Sequence, residues 1–262
     1  MDYKNIILEK NNQIARIVLN RPEALNALNR NMLEEIGQAL ENADQDSTIR
    51  VVVITGKGKA FCAGADLKFA REELTTLWKQ QEFFRWANRT IMERIESLSK
   101  PVIAAVNGFA LGGGFELLLA CDLVIAAEDA VIADQHINYG LVGPGGSTQK
   151  TTWLIGARKA KEIILTGKRL TGKEAERIGL VNESVPPDRL DEAVEALATQ
   201  LAQKSPVALR IAKTLINRAR QVDVFLSSEL EVMSAIVNNT SEDYEEGMKA
   251  FKEKRRPVFK GR

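Results

Sequence analysis

Short apolar runs alternate with helical patterns over roughly the first 185 residues of this 262-residue chain. The runs Val51–Thr55 and Val102–Val106 are continuous rather than alternating, which is typical of strands buried on both faces of a parallel sheet. Strands of this kind need covering helices between them, so the pattern predicts an α/β layered fold. After Pro187 the pattern changes, and Asp188–Lys254 is predicted to be helical almost throughout.

The other predicted elements are short. Two β-rich runs, Ile6–Leu8 and Ile14–Leu19, flank a polar Lys-Asn-Asn segment and predict a hairpin. The remaining predicted strands are Leu123–Ala127 and Val131–Ala133. The predicted helices are Met32–Ala43 with Asn29 or Asn31 as its cap, about Glu72–Leu98, Gly113–Ala120, and one that starts at Ser205-Pro206.

The charge balance and the cysteine count exclude several classes of protein. The 36 Lys and Arg nearly cancel the 35 Asp and Glu, which argues against a strongly basic nucleic-acid-binding surface. Two cysteines, Cys62 and Cys121, cannot form a metal cluster by themselves, and free thiols are expected. The chain has no signal-peptide pattern and no apolar run near the ~20 residues of a membrane span. A soluble cytoplasmic protein is predicted.

The chain has a single histidine, His136. Any Ser-His-Asp triad, histidine metal site or imidazole proton relay would have to use this residue, and no serine stands in a convincing nucleophile turn. A glycine-rich segment, Gly143–Gly146, follows His136 and leads into a helix. The dipole at the start of that helix could act on a group bound beside His136.

Two glycine-containing turns follow the two buried strands, at Lys59–Leu67 and Asn107–Glu116. Small residues let backbone approach a ligand closely, and two such turns on adjacent strands could aim two N–H groups at one oxygen. The second turn also carries Glu116 at an otherwise apolar helix start, where burial would raise the pKa of a carboxyl and suit acid/base chemistry. The glycine pattern fits neither a P-loop nor a dinucleotide-binding turn.

Several motifs in order resemble the enoyl-CoA hydratase/isomerase (crotonase) superfamily over essentially the whole chain. They are Leu19–Leu28, Phe61–Leu67, Lys100–Gly108, Leu111–Leu117, Thr166–Leu170 and Phe251–Pro257. The resemblance implies an α/β spiral of ββα turns followed by a C-terminal helical trimerisation region. It divides the chain into an acyl-CoA-binding core (1–200) and a helical, CoA-covering region (201–262).

The resemblance also implies the site. A thioester oxygen would lie between the backbone N–H groups of Ala63 and Gly113, and Glu116 falls on the first of two family glutamates. His136 stands where the second glutamate is expected, and it is predicted to work with Glu116. The substrate and CoA path is predicted to include Ala63, Gly64, Ala65, Asp66, Leu67, Gly112 and Tyr139.

Hydration of an α,β-unsaturated acyl-CoA is the predicted reaction. The histidine leaves hydrolysis, isomerisation, and hydratase/lyase chemistry on a cyclic or aromatic acyl-CoA open. The tail from Lys249 onward holds seven Lys and Arg against one Glu, and either caps a helix end or contacts a phosphate. A homotrimer or homohexamer is expected, without metal, without a cofactor beyond the CoA of the substrate, and without nucleic-acid or membrane partners.

Overall fold

The computed structural model describes residues 3–219 and 221–262. Within them, strands alternate with helices as far as residue 185 and helices follow, as the sequence pattern predicts. The strands are β1 (Ile6–Asn11), β2 (Ile14–Leu19), β3 (Val51–Gly56), β4 (Ala60–Cys62), β5 (Val102–Val106), β6 (Phe109–Leu111), β7 (Leu123–Ala127), β8 (Val131–Ala133), β9 (Leu170–Thr171) and β10 (Glu183–Val185). The helices are α1 (Arg30–Gln45), α2 (Leu67–Glu73), α3 (Leu77–Ala87), α4 (Glu93–Ser97), α5 (Gly113–Ala120), α6 (Ser147–Thr166), α7 (Gly172–Arg177), α8 (Leu190–Ala202), α9 (Pro206–Arg218), α10 (Val224–Asn238) and α11 (Glu242–Glu253).

The described strands form two sheets. The larger has the order β1-β2-β3-β5-β7-β10 and is parallel except for the β1–β2 hairpin. The smaller has the order β4-β6-β8-β9. Each of the pairs β3–β4, β5–β6 and β7–β8 therefore contributes one strand to each sheet before the chain enters a helix. This repetition confirms the predicted spiral of ββα units.

The long helix predicted over Glu72–Leu98 is wrong, because polar caps divide that region. The hydroxyl of Thr76 accepts a hydrogen bond from the backbone N–H of Lys79 and starts α3, so α2 ends at Glu73. A wider turn of π-helical type, Asn88–Met92, then separates α3 from α4. The apolar spacing continues through these breaks, which is why it suggested one helix.

The core lies around the central strands of the larger sheet. Every residue of β3 and β5 is buried, and α8 packs on β3, β5 and β7. Helix α8 crosses the predicted boundary at residue 200, and the division into two domains stays a prediction. Cys62 and Cys121 are free thiols, as expected.

Polar contacts hold the C-terminal helices and the tail. Ser205 caps α9, with Pro206 in the first turn as predicted, and its hydroxyl donates to the buried Asp243 at 2.7 Å. In the tail, Arg255 forms ion pairs with Glu246 at 2.6 Å and Glu253 at 2.7 Å, so its charge serves the structure. Among the described residues, no helix is both long and apolar enough to cross a membrane.

Candidate active site

Glu116 lies in the first turn of α5, directly after the turn that closes β6. Its side chain is only 3% exposed, and its Oε1 accepts a hydrogen bond of 2.5 Å from the backbone N–H of Gly145. Burial raises the pKa of the Glu116 carboxyl, although the neighbouring His136 and the Gly145 hydrogen bond act in the opposite direction. The carboxyl can therefore exchange a proton closer to neutral pH than a surface glutamate does.

His136 begins a single helical turn after β8, and Asp134 orients its ring. Asp134 is 2% exposed; its Oδ1 lies 2.5 Å from Nδ1 of His136 and accepts the His136 backbone N–H at 3.1 Å. Because Nδ1 faces this carboxylate, Nε2 is the ring nitrogen left for another partner. Burial lowers the pKa of His136, but the Asp134 hydrogen bond and the charges of Glu116 and Asp134 outweigh it, so the net shift is upward.

Glu116 and His136 meet at one point beside the glycine-rich turn. A Cβ atom built on Gly143 would lie 2.6 Å from Glu116 Oε1 and 2.8 Å from His136 Cε1, so no side chain fits there. A Cβ atom on Gly145 would come within 2.7 Å of the Glu116 carboxyl carbon. The side-chain amide of Asn88 donates to the carbonyl oxygen of Pro144 at 2.8 Å and anchors this turn. Glu116 and His136 thus lie close enough to act together, as the prediction requires.

The N–H group of Ala63 is not available as an oxyanion donor, and this part of the prediction is wrong. It donates to the carbonyl oxygen of Leu25 at 3.0 Å. Two residues further on, the backbone nitrogen of Ala65 lies 3.6 Å from the position that a Cβ atom on Gly113 would take. No acceptor among the described residues takes the N–H of Ala65 or of Gly113. These two free donors lie close together.

Glycine is needed at both turns that carry the donors. Gly64 has φ +106°, and a Cβ atom there would lie 2.9 Å from the carbonyl oxygen of Leu111. Gly112 has φ +52°, and a Cβ atom there would lie 3.6 Å from His136 Nε2. An L side chain would be strained at either position. Gly64 and Gly112, which were predicted to line the substrate path, therefore shape the two turns through their backbone.

The other predicted binding residues differ in their surroundings. Asp66 accepts hydrogen bonds from the Phe69 N–H and from Arg21, at 3.2 and 2.9 Å, so its carboxylate caps α2 and forms an ion pair. Leu67 is 67% exposed and Tyr139 is 71% exposed, and either can contact a bound molecule from the surface. No group of three His, Cys, Asp or Glu side chains in the described ranges could hold a metal ion.

Sequence reasoning missed two residues of this site, Asp134, which orients His136, and Asn88, which anchors the glycine-rich turn. Ala65 was predicted only to line the substrate path, but its N–H, rather than that of Ala63, is free. The signal for Asp134 was present, because an acid two residues before the only histidine can turn back to its ring. The role of Asn88 depends on a contact over 56 residues of sequence and has no local signal.

Comparisons with known proteins point to one family. A family described as "Enoyl-CoA hydratase/isomerase" matches residues 9–262. A crotonyl-CoA hydratase of Syntrophomonas wolfei is 38% identical over 260 residues, covering 99% of each chain. A short-chain-enoyl-CoA hydratase of Clostridium acetobutylicum is 38% identical and covers 98% of this chain and 97% of its own. The crystal structure of an enoyl-CoA hydratase from Bacillus anthracis superimposes with a TM-score of 0.91 at 40% identity, covering 99% and 100% of the two chains.

Proposed function

The chain belongs to the enoyl-CoA hydratase/isomerase family, and from that membership we propose that it adds water to the double bond of α,β-unsaturated acyl-CoA thioesters. The observation that carries this proposal is the pair of free backbone donors, Ala65 and Gly113, next to the buried Glu116 and the half-buried His136. The two N–H donors can stabilise negative charge on the thioester oxygen, and the two side chains can transfer protons. Hydration of a conjugated thioester needs both.

The thioester oxygen is proposed to accept from Ala65 N–H and Gly113 N–H. When the water oxygen bonds to Cβ, the π electrons of the double bond move toward the carbonyl and an enolate forms. Two fixed donors stabilise its oxygen without reorganising during the reaction. Gly113 begins α5, so the positive end of the helix dipole adds to this stabilisation.

Proton transfer is proposed to be divided between the two side chains. Glu116, as a carboxylate, takes a proton from the attacking water, and His136, as an imidazolium, gives one from Nε2 to Cα. The raised pKa of His136 supports its protonated form, and Asp134 stabilises the positive charge. Asp134 is in this scheme a positioning residue. The Glu116 carboxyl and the His136 imidazole titrate as a coupled pair, because the charge of each group influences the pKa of the other.

The Asp134–His136 pair also favours a second candidate reaction, thioester hydrolysis. An imidazole held by a carboxylate can take a proton from water, whose oxygen would then bond to the thioester carbon and release the CoA thiol. Nε2 of His136 lies near Gly112, which precedes the donor residue Gly113. A water molecule that attacks the carbonyl carbon of a thioester held by Gly113 would therefore be close to Nε2. Isomerisation and C–C bond cleavage stay open predictions without such an observation.

The test separates hydration from hydrolysis in one reaction mixture. Crotonyl-CoA and longer enoyl-CoA thioesters are incubated with the protein, and loss of the conjugated-enoyl absorbance is followed together with free thiol. We expect loss of the enoyl absorbance without thiol release. Thiol release at the same rate would support hydrolysis, and no change in either signal, with CoA bound, would overturn the hydratase proposal.

We propose that the protein assembles as a trimer or a hexamer through its C-terminal helices. Helix α10 packs on α9, yet exposes apolar side chains such as Phe225, which is 82% exposed. Further exposed apolar residues of α10 are Val224, Leu226, Val232, Met233, Ile236 and Val237. Surfaces of this kind indicate an interface. Light scattering during gel filtration should give three or six times the chain mass, and a monomeric mass would contradict the proposal.

Four further expectations stay predictions. They are that Asp66, Leu67 and Tyr139 line the CoA path, that the basic tail covers CoA, that no separate cofactor or nucleic-acid partner is needed, and that the protein is cytoplasmic.

A further inference from the structure

A basic cavity lies at the end of the larger sheet opposite to the candidate active site. It has a volume of about 250 Å³ and is bordered by the residues that precede β3 and β5. The catalytic turns follow the other ends of these strands, and a six-residue strand separates its two ends by roughly 17 Å. Its charged lining residues are Arg50, Lys100, Lys204, Arg210, Lys260 and Asp44.

Two of these six charges are already used by the fold. The Asp44 carboxylate accepts hydrogen bonds from the N–H and the hydroxyl of Ser99, at 3.1 and 2.5 Å. The ammonium group of Lys100 donates to two carbonyl oxygens at the end of α1, at 2.5 and 2.6 Å. The cavity is therefore left with an excess of positive charge from the other four side chains.

Three of those four cations have no carboxylate partner within 4 Å among the described residues: Arg50, Lys204 and Arg210. Lys260 has only a distant one, Glu242 at 4.0 Å. Lys204, Arg210 and Lys260 are exposed, whereas Arg50 is half-buried. Arg50 differs in this from buried or half-buried cations such as Arg21 and Lys213, which are paired with Asp66 and Asp122. Five cations and one carboxylate, Asp44, line the cavity, so a bound anion would offset the repulsion between the cations.

The part of the cavity wall formed by the tail backbone and Arg50 is held in place. Buried Asp243, in the first turn of α11, accepts hydrogen bonds from the N–H groups of Lys260 and Gly261, at 2.7 and 3.0 Å, which fixes the tail against that helix. A Cβ atom on Gly261 would lie 2.7 Å from Arg50 Nη1, so the guanidinium packs closely against the tail backbone. Arg50 is thus presented at a defined position.

We propose that this cavity binds a small phosphate or diphosphate anion. Arginine and lysine together suit phosphate oxygens, because the guanidinium offers a planar pair of donors and the ammonium a point charge. The volume is below the roughly 300–1,000 Å³ of pockets for drug-sized ligands, which favours a phosphate group over a whole nucleotide. The proposal does not depend on the proposed reaction, because it uses none of the catalytic residues.

Titration calorimetry with inorganic pyrophosphate and with inorganic phosphate tests the site, at constant ionic strength set with NaCl. We expect saturable binding of pyrophosphate that the double variant Lys204→Gln/Arg210→Gln weakens at least tenfold. Both side chains are exposed, so the variant should fold normally. The matched control is Arg158→Gln/Lys161→Gln, which removes the same charge from the exposed surface of α6 and should bind as the unchanged protein does.

A competition experiment distinguishes this cavity from the CoA site, since CoA also carries phosphates. Pyrophosphate is expected to bind with unchanged affinity when free CoA is present in excess. Displacement by CoA would overturn the proposal, as would equal affinity of the Lys204→Gln/Arg210→Gln variant and the unchanged protein, or an equal loss in the control. A failed hydration assay would leave these results unaffected.

Discussion

Replacing Glu116 by Gln is expected to lower kcat for crotonyl-CoA hydration by about 10²- to 10⁴-fold, the usual contribution of a positioned acid or base. The amide has the shape of the carboxyl, and its oxygen can still accept the hydrogen bond from Gly145. Only the ability to take a proton from water is removed. KM and the affinity for CoA should change less than threefold, because the two backbone donors are unaltered.

Stability separates a chemical role of Glu116 from a structural one. Because burial raises the pKa of the carboxyl, its ionised form is disfavoured in the folded protein, and the neutral amide should not lower the melting temperature. Glu9→Gln, on the exposed side of β1, is the matched control and should leave both kcat and stability unchanged. Full activity of Glu116→Gln, or a loss explained by unfolding, would remove Glu116 from the proposed mechanism.

The sequence was sufficient to predict the part of the candidate site that lies in the turns after the two buried strands. Val51–Thr55 and Val102–Val106 could be identified as buried strands, and parallel strands place the turns after them on one side of the sheet. From that rule, the segments Ala63–Leu67 and Gly112–Glu116 are predicted to lie close together. His136 was a candidate as the single histidine of the chain, and the family resemblance then paired it with Glu116, beside which the structure places it.

The hydrogen-bond partner of each backbone N–H group could not be predicted from the sequence. Whether Ala63 or Ala65 has a free N–H depends on Leu25, which lies 38 residues away and accepts from Ala63. The break between α2 and α3 depends on a competition between the Thr76 cap and an apolar spacing that continues through it. Both outcomes are set by contacts that local patterns do not encode.

Replacing His136 by Gln is expected to reduce kcat by about 10²- to 10³-fold and to change the pH profile. In the unchanged protein, hydration should rise as Glu116 loses its proton, above the usual pKa of a glutamate. It should fall again as His136 loses its proton, above the usual 6.5, since both pKa values are raised. The variant lacks the second ionisation, so its alkaline limb should disappear. An unchanged alkaline limb would exclude His136 as the acid.

Asp134→Asn provides the companion measurement, because it keeps His136 and removes only the charge that holds the imidazolium. Without the Asp134 carboxylate, the pKa of His136 should fall, and the imidazolium should be lost at a lower pH. The alkaline limb is therefore expected to move to lower pH, while KM and CoA affinity stay constant. A purely structural role of Asp134 would lower activity equally at every pH. A uniform loss would contradict the positioning role, whereas a shifted limb links Asp134 to the proton on Nε2.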